Sequence, residues 1–379
     1  MEEIAKYRTI YGSGEDRWRR YGHTNHGKKA LPLVEGSSTL LDVGCGHNEF
    51  AIECRSRGIA ATGVDFACPG ADIVAPAQSL PFADKRYETV TAFDMLEHLR
   101  PEEVRSVLRE LARVSSRFVF SISYVPSVNK VNGETLHPCV RPEAWWRDRI
   151  AEAGGQVEKT GNYLHGTWGA PKPPPVLPGQ TCLMVGSGPS LLQSNLGARI
   201  DDHDQVVRFN RYETFGYELD TGAKTTLWST FGRGYLPGEH EPRPDRIIYI
   251  HGDSGNPALD ANELWRIPAS FFAQLRERVV AVSLRDDAGK ERTIPTSGLL
   301  VAAWLLEWIE IDTPLAIAGF DHFRKSRIKG DVQNRHHYWH DHSSGRPPEH
   351  DGDAEAVIFE KWEAEGKVCR LPLHRTQDP

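Results

Sequence analysis

A chain of 379 residues is long for a single hydrophobic core and comfortable for two domains. With 39% hydrophobic residues, 26% charged residues and a formal net charge of −7, its composition is that of a soluble globular protein. That charge speaks against a protein whose main task is gripping a phosphate backbone, so no nucleic-acid partner is expected.

The opening stretch, MEEIAKYRTI, has no apolar run of the signal-peptide type. The longest apolar run, residues 299–309, is too short to span a bilayer and is interrupted by Glu307. No transmembrane segment is expected, which leaves room only for peripheral membrane contact. Six scattered cysteines with no CxxC pair read as reduced thiols in a cytoplasmic protein.

In chain order, STLLDVGCGHNEFAIECRSRG reads as a buried strand, a glycine turn and a helix. ATGVDF is a second strand, YETVTAFDML and SSRFVFSIS are two more, and PEEVRSVLRELARV is a helix between them. Strands alternating with helices imply a doubly wound, mostly parallel sheet. Gly44 and Gly46 stand where the first strand ends, so backbone can approach a ligand closely beside a helix N-terminus. Asp65 closes the next strand, where a carboxylate can accept both ribose hydroxyls of a nucleoside. The third glycine of a dinucleotide fingerprint is missing, since Glu49 stands there.

Taken together, LLDVGCGHNEF, GVDF and AQSLPFADKRYETVTAFDMLEHL resemble the class I methyltransferases that use S-adenosylmethionine, over roughly residues 35–125. The resemblance implies Asp42, Gly44 and Gly46 near the methionine end of the cofactor, Asp65 on its ribose, and Gln78 and Ser79 near its adenine. Asn48 departs from the family where a glycine is usual, and Pro76 stands where a carboxylate often precedes the adenine-binding pair. Methyl transfer to a hydroxyl needs a base or a metal, because an alcohol is a poor nucleophile at neutral pH. Asp94, Glu97 and His98 stand at and just beyond the end of the YETVTAFDML strand, where the acceptor should approach, and His137 lies beyond the SSRFVFSIS strand. His98 or His137 is the candidate base; the alternative is that His98 packs against or caps the LEHL turn. Trp145 and Trp146 form either a sugar-stacking wall or core packing.

GAPKPPPVLPGQ, residues 169–180, cannot be a helix or an interior strand. It suits a stiff spacer, or else a long surface loop. A second strand–turn–helix pattern begins just after it, in TCLMVGSGPSLLQS, followed by apolar runs in HDQVVRFN, DRIIYIHG and PLAIAGFD and an apolar helix in SGLLVAAWLLEWIE. Two Rossmann-like α/β domains are therefore expected: residues 1–170, a proline-rich linker at 171–179, and residues 180–379. The GSG turn should cradle part of a nucleotide, and Asn210, at a strand end, can both donate to and accept from a base, ribose or phosphate.

The run from Cys182 to Thr226 resembles the large motif of the eukaryotic-type sialyltransferases, with the GSG turn, IDDHD, RFN and GAKTT in order. PTSGLLVAAWLLEWIEIDTPLAIAGFD resembles the family's small motif. The resemblance covers about residues 180–365 and implies a CMP-sugar donor held by Gly186, Ser187, Gly188, Asn210, Thr296, Ser297, Gly298 and Tyr338. Secreted members pair a cysteine of the large motif with one of the small motif; Cys182 is present here but the second is not. The family's membrane anchor is also missing, which suggests a bacterial, cytoplasmic relative.

Five of the chain's 16 histidines fall within HHYWHDHSSGRPPEHDGDAE, residues 336–355. A metal site, a solvated polar loop and a catalytic site are the three readings. No standard zinc spacing fits, and no metal site is assigned. The resemblance splits the run into His337-Tyr338-Trp339 and a histidine with a glutamate five positions on, His350 and Glu355. By that resemblance His350 is the general base, His337 hydrogen-bonds the donor phosphate, and Glu355 orients the loop carrying His350. A CMP leaving group carries a single phosphate, so a divalent metal is not obligatory for this transfer. The basic stretch FRKSRIKG, residues 323–330, either grips an anionic donor or acceptor or is an exposed loop.

The expectation is a bifunctional glycan-modifying enzyme. One domain is an S-adenosylmethionine-dependent O-methyltransferase. The other is an inverting glycosyltransferase using CMP-sialic acid or CMP-Kdo on a surface glycan or glycolipid of bacterial type. The rivals are a chain in which only the sugar-transfer domain is catalytic, with the other a scaffold or binding module, and a non-catalytic glycan-recognition protein.

Overall fold

The computed structural model describes residues 7–11, 25–131, 133–232, 236–242, 244–250, 263–322 and 349–372. The chain divides into two compact units, Met1–Pro173 and Pro174–Pro379.

The first unit holds strands β1 (Thr39–Val43), β2 (Ala60–Asp65), β3 (Ile73–Val74), β4 (Tyr87–Phe93) and β5 (Ser115–Ser121), a small hairpin of β6 (Lys130–Val131) and β7 (Glu134–Thr135), and a terminal pair, β8 (Gly155–Thr160) and β9 (Tyr163–Trp168). Its seven-stranded sheet runs β3-β2-β1-β4-β5-β9-β8. β1 to β5 are parallel, and β9 lies antiparallel to both β5 and β8. Helices α1 (Asn25–Val34), α2 (Glu49–Ser56), α3 (Pro101–Val114) and α4 (Glu143–Glu152) join these strands. α3 shows why such a sequence is helical. Pro101 opens it, Glu103 bonds back to the Arg100 amide, and Val104, Val107, Leu108, Leu111 and Val114 recur at helical spacing to form one buried face. Trp145 and Trp146 in α4 are fully buried and meet edge to face with centroids 5.1 Å apart, so they are core packing rather than a sugar platform.

The second unit holds β10 (Cys182–Val185), β11 (Gln205–Phe209), β12 (Leu227–Thr230), β13 (Arg246–Tyr249), β14 (Glu263–Arg266), β15 (Leu315–Ala318) and β16 (Val368–Arg370). All seven are parallel, in the order β14-β13-β12-β11-β10-β15-β16. Helices α5 (Gly197–Asp201), α6 (Glu218–Thr221), α7 (Ala269–Val282), α8 (Asp287–Arg292), α9 (Ser297–Ala303) and α10 (Gly352–Ala364) connect them. α9 continues as π-type winding over Trp304–Ile309, and most of its residues are buried.

Among the parallel strands of each sheet the order reverses at one point, between β1 and β4 in the first unit and between β10 and β15 in the second. A crevice outside the carboxyl ends of the strands opens at such a point. The glycine turns after β1 and β10 both stand there.

Two segments differ from expectation. No α-helix follows the GSG turn directly. Pro189–Leu191 makes a single tight turn, and Gln193 and Asn195 then adopt left-handed φ of 63° and 52°, which stops helical winding. The proline-rich segment is not a bare spacer: Pro174–Val176 are buried, and the Pro175 carbonyl accepts a 2.9 Å bond from Arg246 Nη2.

Candidate functional sites

In the first unit, Gly44 and Gly46 take left-handed φ of 72° and 52° as the chain leaves β1. A Cβ at Gly44 would lie 2.4 Å from Met95 Cγ, so the turn is pressed against the segment that follows β4. Asn48, in the place of a usual glycine, also has a left-handed φ of 67°. Asparagine is among the few side chains that tolerate this conformation, so the turn survives the substitution.

Asp42 is buried and accepts a 2.7 Å bond from Thr91 Oγ1; burial pushes its carboxyl up to about 7. Asp65 is also buried. Its Oδ1 accepts from the Ala67 and Cys68 amides, both at 2.8 Å, and its Oδ2 accepts from the Gly46 amide and the Tyr11 hydroxyl, both at 3.2 Å. Burial, with the Asp65 charge beside it, pushes the Tyr11 phenol well above its usual range. Gln78 and Ser79 lie in an exposed turn after β3, and the Gln78 amide donates to Glu103 Oε1 at 3.0 Å.

Beyond β4, Asp94 is exposed, with a φ of 48° and an Oδ1 held by Ser121 Oγ at 2.9 Å. The turn Leu96–His98 then places Glu97 fully inside, where burial pushes its carboxyl up to about 8. His98 and His137 meet edge to face, centroids 4.8 Å apart. Tyr7 Oη lies 2.6 Å from His98 Nδ1, so a helical segment at residues 7–11 touches Asp65 through Tyr11 and His98 through Tyr7. Sequence reasoning gave Tyr7 and Tyr11 no role. Their spacing of four was the available signal, since it puts both on one helix face.

In the second unit, Gly186 and Gly188 sit where nothing larger fits. A Cβ would lie 2.4 Å from the Gly319 carbonyl at Gly186 and 2.5 Å from Asp321 at Gly188. Ser187 between them is half-buried. The IDDHD and GAKTT segments serve this site at a distance. Asp201 accepts from the amides of Ala223 at 3.0 Å and Lys224 at 2.9 Å, while Asp204 accepts from Thr181. The buried Arg208 side chain donates to the Thr221 carbonyl at 2.7 Å and to Thr225 Oγ1 at 3.0 Å. These bonds fix β11 at its carboxyl end, where Asn210 turns with a left-handed φ of 47°.

Asn210 Nδ2 donates to Ser297 Oγ at 3.1 Å, and Thr296 caps α9 through the Leu299 amide at 3.2 Å. Glu355, buried in α10, accepts from both the amide and the hydroxyl of Thr296 at 2.7 Å. His350 is half-buried, its Nδ1 donating to the Ile294 carbonyl at 3.1 Å, and its own carbonyl accepts from Arg285. Gly298 packs against Phe320, where a Cβ would come within 2.6 Å of the ring. The structure therefore joins Asn210, Thr296, Ser297, Glu355 and His350 through one run of hydrogen bonds and chain neighbours. His337 and Tyr338, and the basic stretch at 323–330, lie outside the described residues.

Asp321, just beyond β15, carries no role in the sequence reading. It receives both the amide (2.9 Å) and the hydroxyl of Ser190, and burial raises its carboxyl pKa. The GFD ending of an apolar strand beside a glycine turn was the signal for it. Among the described residues, one group has metal-ligand chemistry: Glu97, His98 and His137.

Residues 16–137 match the family model of a methyltransferase domain, and residues 156–245 match that of glycosyltransferase family 29 (sialyltransferase). A 71-residue stretch is 39% identical to the human CMP-N-acetylneuraminate-beta-1,4-galactoside alpha-2,3-sialyltransferase, covering 19% of either chain. The chain thus spans about a tenth to a fifth of the length of the curated relatives it matches. Among solved structures, a mammalian sialyltransferase aligns at 23% identity and a TM-score of 0.38, over 51% of this chain and 68% of that one. A Burkholderia thailandensis 1,6-didemethyltoxoflavin-N1-methyltransferase bound to S-adenosylhomocysteine aligns at 16% identity and a TM-score of 0.35, over 44% and 88%.

Proposed function

We propose that this chain carries two group-transfer activities on one glycan. The second unit moves a keto-acid sugar from a CMP donor to a glycan hydroxyl with inversion. The first methylates a hydroxyl, with S-adenosylmethionine as donor.

The observation that carries the sugar-transfer reading is the bonded run Asn210–Ser297–Thr296–Glu355, with His350 five residues before Glu355, at the open end of β10 and β11. In this reading Asn210 and the start of α9 hold the cytidine monophosphate. His350, whose Nδ1 donates to the Ile294 carbonyl, is the general base that takes the acceptor's proton. His337 and Tyr338 complete the phosphate contacts, as the sialyltransferase resemblance implies. CMP-sialic acid is the first donor to try and CMP-Kdo the second, and a bacterial surface glycan is the acceptor class. No helix among the described residues is long and apolar enough to cross a membrane, and the reading needs none.

The test is CMP release from each donor in the presence of galactoside acceptors. His350→Ala is expected to lose about a hundredfold or more in turnover, the usual contribution of a general base, with CMP affinity retained. Unchanged CMP release would remove His350 from the mechanism, and a chain inert toward every CMP-sugar would favour a recognition protein.

A second reading of the first unit, as a scaffold, is favoured by one observation. Four donors already occupy both oxygens of Asp65, the group meant for the ribose. Calorimetric titration with S-adenosylmethionine separates the two: saturable binding supports methyl transfer, and none at millimolar ligand leaves a scaffold.

A further inference from the structure

We propose that Glu97, His98 and His137 form a binding site for one divalent transition cation beside the methyl-donor crevice. One ligand-type atom from each residue lies within 4.8 Å of the others. Glu97 and His98 come from the turn after β4, and His137 from the chain beyond the β6–β7 hairpin.

Three independent features support a cation. The first is an orphaned oxygen. Glu97 is fully enclosed; its Oε1 accepts from the Ser123 amide at 3.1 Å, and its Oε2 has no hydrogen-bond partner. An enclosed carboxylate oxygen without a donor is costly, and a bound cation removes that cost. The second is the tautomer of His137. Its Nδ1 lies 2.8 Å from the Val125 carbonyl, which can only accept, so Nδ1 carries the proton and Nε2 keeps a lone pair. The third is the contact of His98 Nδ1 with Tyr7 Oη at 2.6 Å, which fixes the orientation of that ring. Metal-bound histidines are fixed in this way through their second nitrogen.

Two imidazoles and one carboxylate suit zinc, cobalt, manganese or ferrous iron, with positions left for solvent or substrate oxygen. Bonds of about 2.1 Å place tetrahedral ligands roughly 3.4 Å apart, within reach of small side-chain rotations from the present spacing. Met95, next to this turn, is the residue that presses on Gly44.

The role of the cation rests on the methyl-transfer reading. An acceptor hydroxyl on the cation loses its proton to solvent or a nearby base more readily. Its oxygen then bonds to the methyl carbon as the carbon–sulfur bond breaks, with the electron pair leaving on sulfur as a neutral thioether. A sugar hydroxyl with a second oxygen beside it, able to chelate, is the acceptor class that fits.

The test uses the full chain, stripped by chelator and titrated with Co2+, read by visible absorption and by elemental analysis. Glu97→Gln and His137→Ala are each expected to lose one equivalent, and Tyr7→Phe to weaken binding about tenfold. Retained S-adenosylmethionine affinity and circular dichroism show that a variant is folded. Folded triad variants that keep every equivalent of cobalt overturn the assignment. So does an unaltered chain that binds no cobalt at submillimolar concentration. Triad-dependent cobalt binding in a chain that ignores S-adenosylmethionine keeps the site and removes its methyl-transfer role.

Discussion

Asp42 is held by Thr91 in a place that water does not reach, and its carboxyl sits at about 7 rather than in the ordinary range. A folded-state pKa above the unfolded one means that ionisation is penalised in the folded chain. The penalty is absent below the unfolded value, near 4, grows as pH rises, and is complete above about 7. Asp42→Asn is therefore expected to raise the melting temperature at pH 8 and to leave it unchanged at pH 4. The upper limit of the gain is ~4 kcal/mol, at about 1.4 kcal/mol per pKa unit. A cation at the methionine end of a bound donor would favour the ionised form, so binding near pH 6.5 should release a proton. Calorimetry in buffers of different ionisation enthalpy reads that proton. Tyr11→Phe tests the other carboxylate: removing the phenol takes away one of the two donors on Asp65 Oδ2 and leaves the Gly46 amide, and nucleoside affinity is expected to tighten about fivefold, one hydrogen bond's worth. Asp42, Gly44, Gly46 and Asp65 were legible because a glycine turn after an apolar run fixes where they stand. Tyr11 was not, because its partner lies 54 residues away.

At the level of elements, the joint between α9 and α10 is the one to break. Glu355 takes two 2.7 Å bonds from Thr296 in a dry setting. Glutamine at 355 can accept only one of them and turns an amide donor toward the other. Glu355→Gln is expected to cost about 1–3 kcal/mol in chemical unfolding and to weaken CMP binding, while leaving S-adenosylmethionine binding alone. Thr296→Val should cost a similar amount, and a double-mutant cycle should show that the two losses do not add. The buried strands β1, β2, β4, β5, β10, β11, β13 and β15 were readable from their apolar runs. β8, which exposes Gln156, Glu158, Lys159 and Thr160, and β12, β14 and β16, whose three or four residues (LWST, ELWR, VCR) mix polar with apolar side chains, were not. In such short or half-wet strands the pairing decides the conformation more than the local sequence does. The helix expected after the GSG turn failed for a related reason: Gln193 and Asn195 in left-handed conformations outweigh the apolar leucines around them.

For the whole molecule, two units with separate crevices predict separable losses. Gly44→Val, which drives a branched side chain into Met95 at a left-handed position, is expected to abolish S-adenosylmethionine binding and spare CMP-sugar turnover. His350→Ala should do the reverse, and the double variant should show both losses with no extra penalty. A chain in which either substitution silences both reactions would contradict this independence. The division into two α/β units was legible because a glycine turn follows an apolar strand on each side of the proline-rich stretch. The seating of Pro174–Val176 was not, because it depends on Arg246, about 70 residues further on.

Tyr7 and Tyr11 stand one helical turn apart, one on His98 and the other on Asp65. A ribose that claims Asp65 must displace the second, and a rigid turn cannot give up one anchor without straining the other. If Asp65 takes a ribose and the histidine a cation, as proposed, the two sites are coupled and linkage makes the effect mutual: whatever factor the donor applies to cation affinity, the cation applies to donor affinity. The two constants, measured in either order, close a thermodynamic square, and Tyr7→Phe should flatten it.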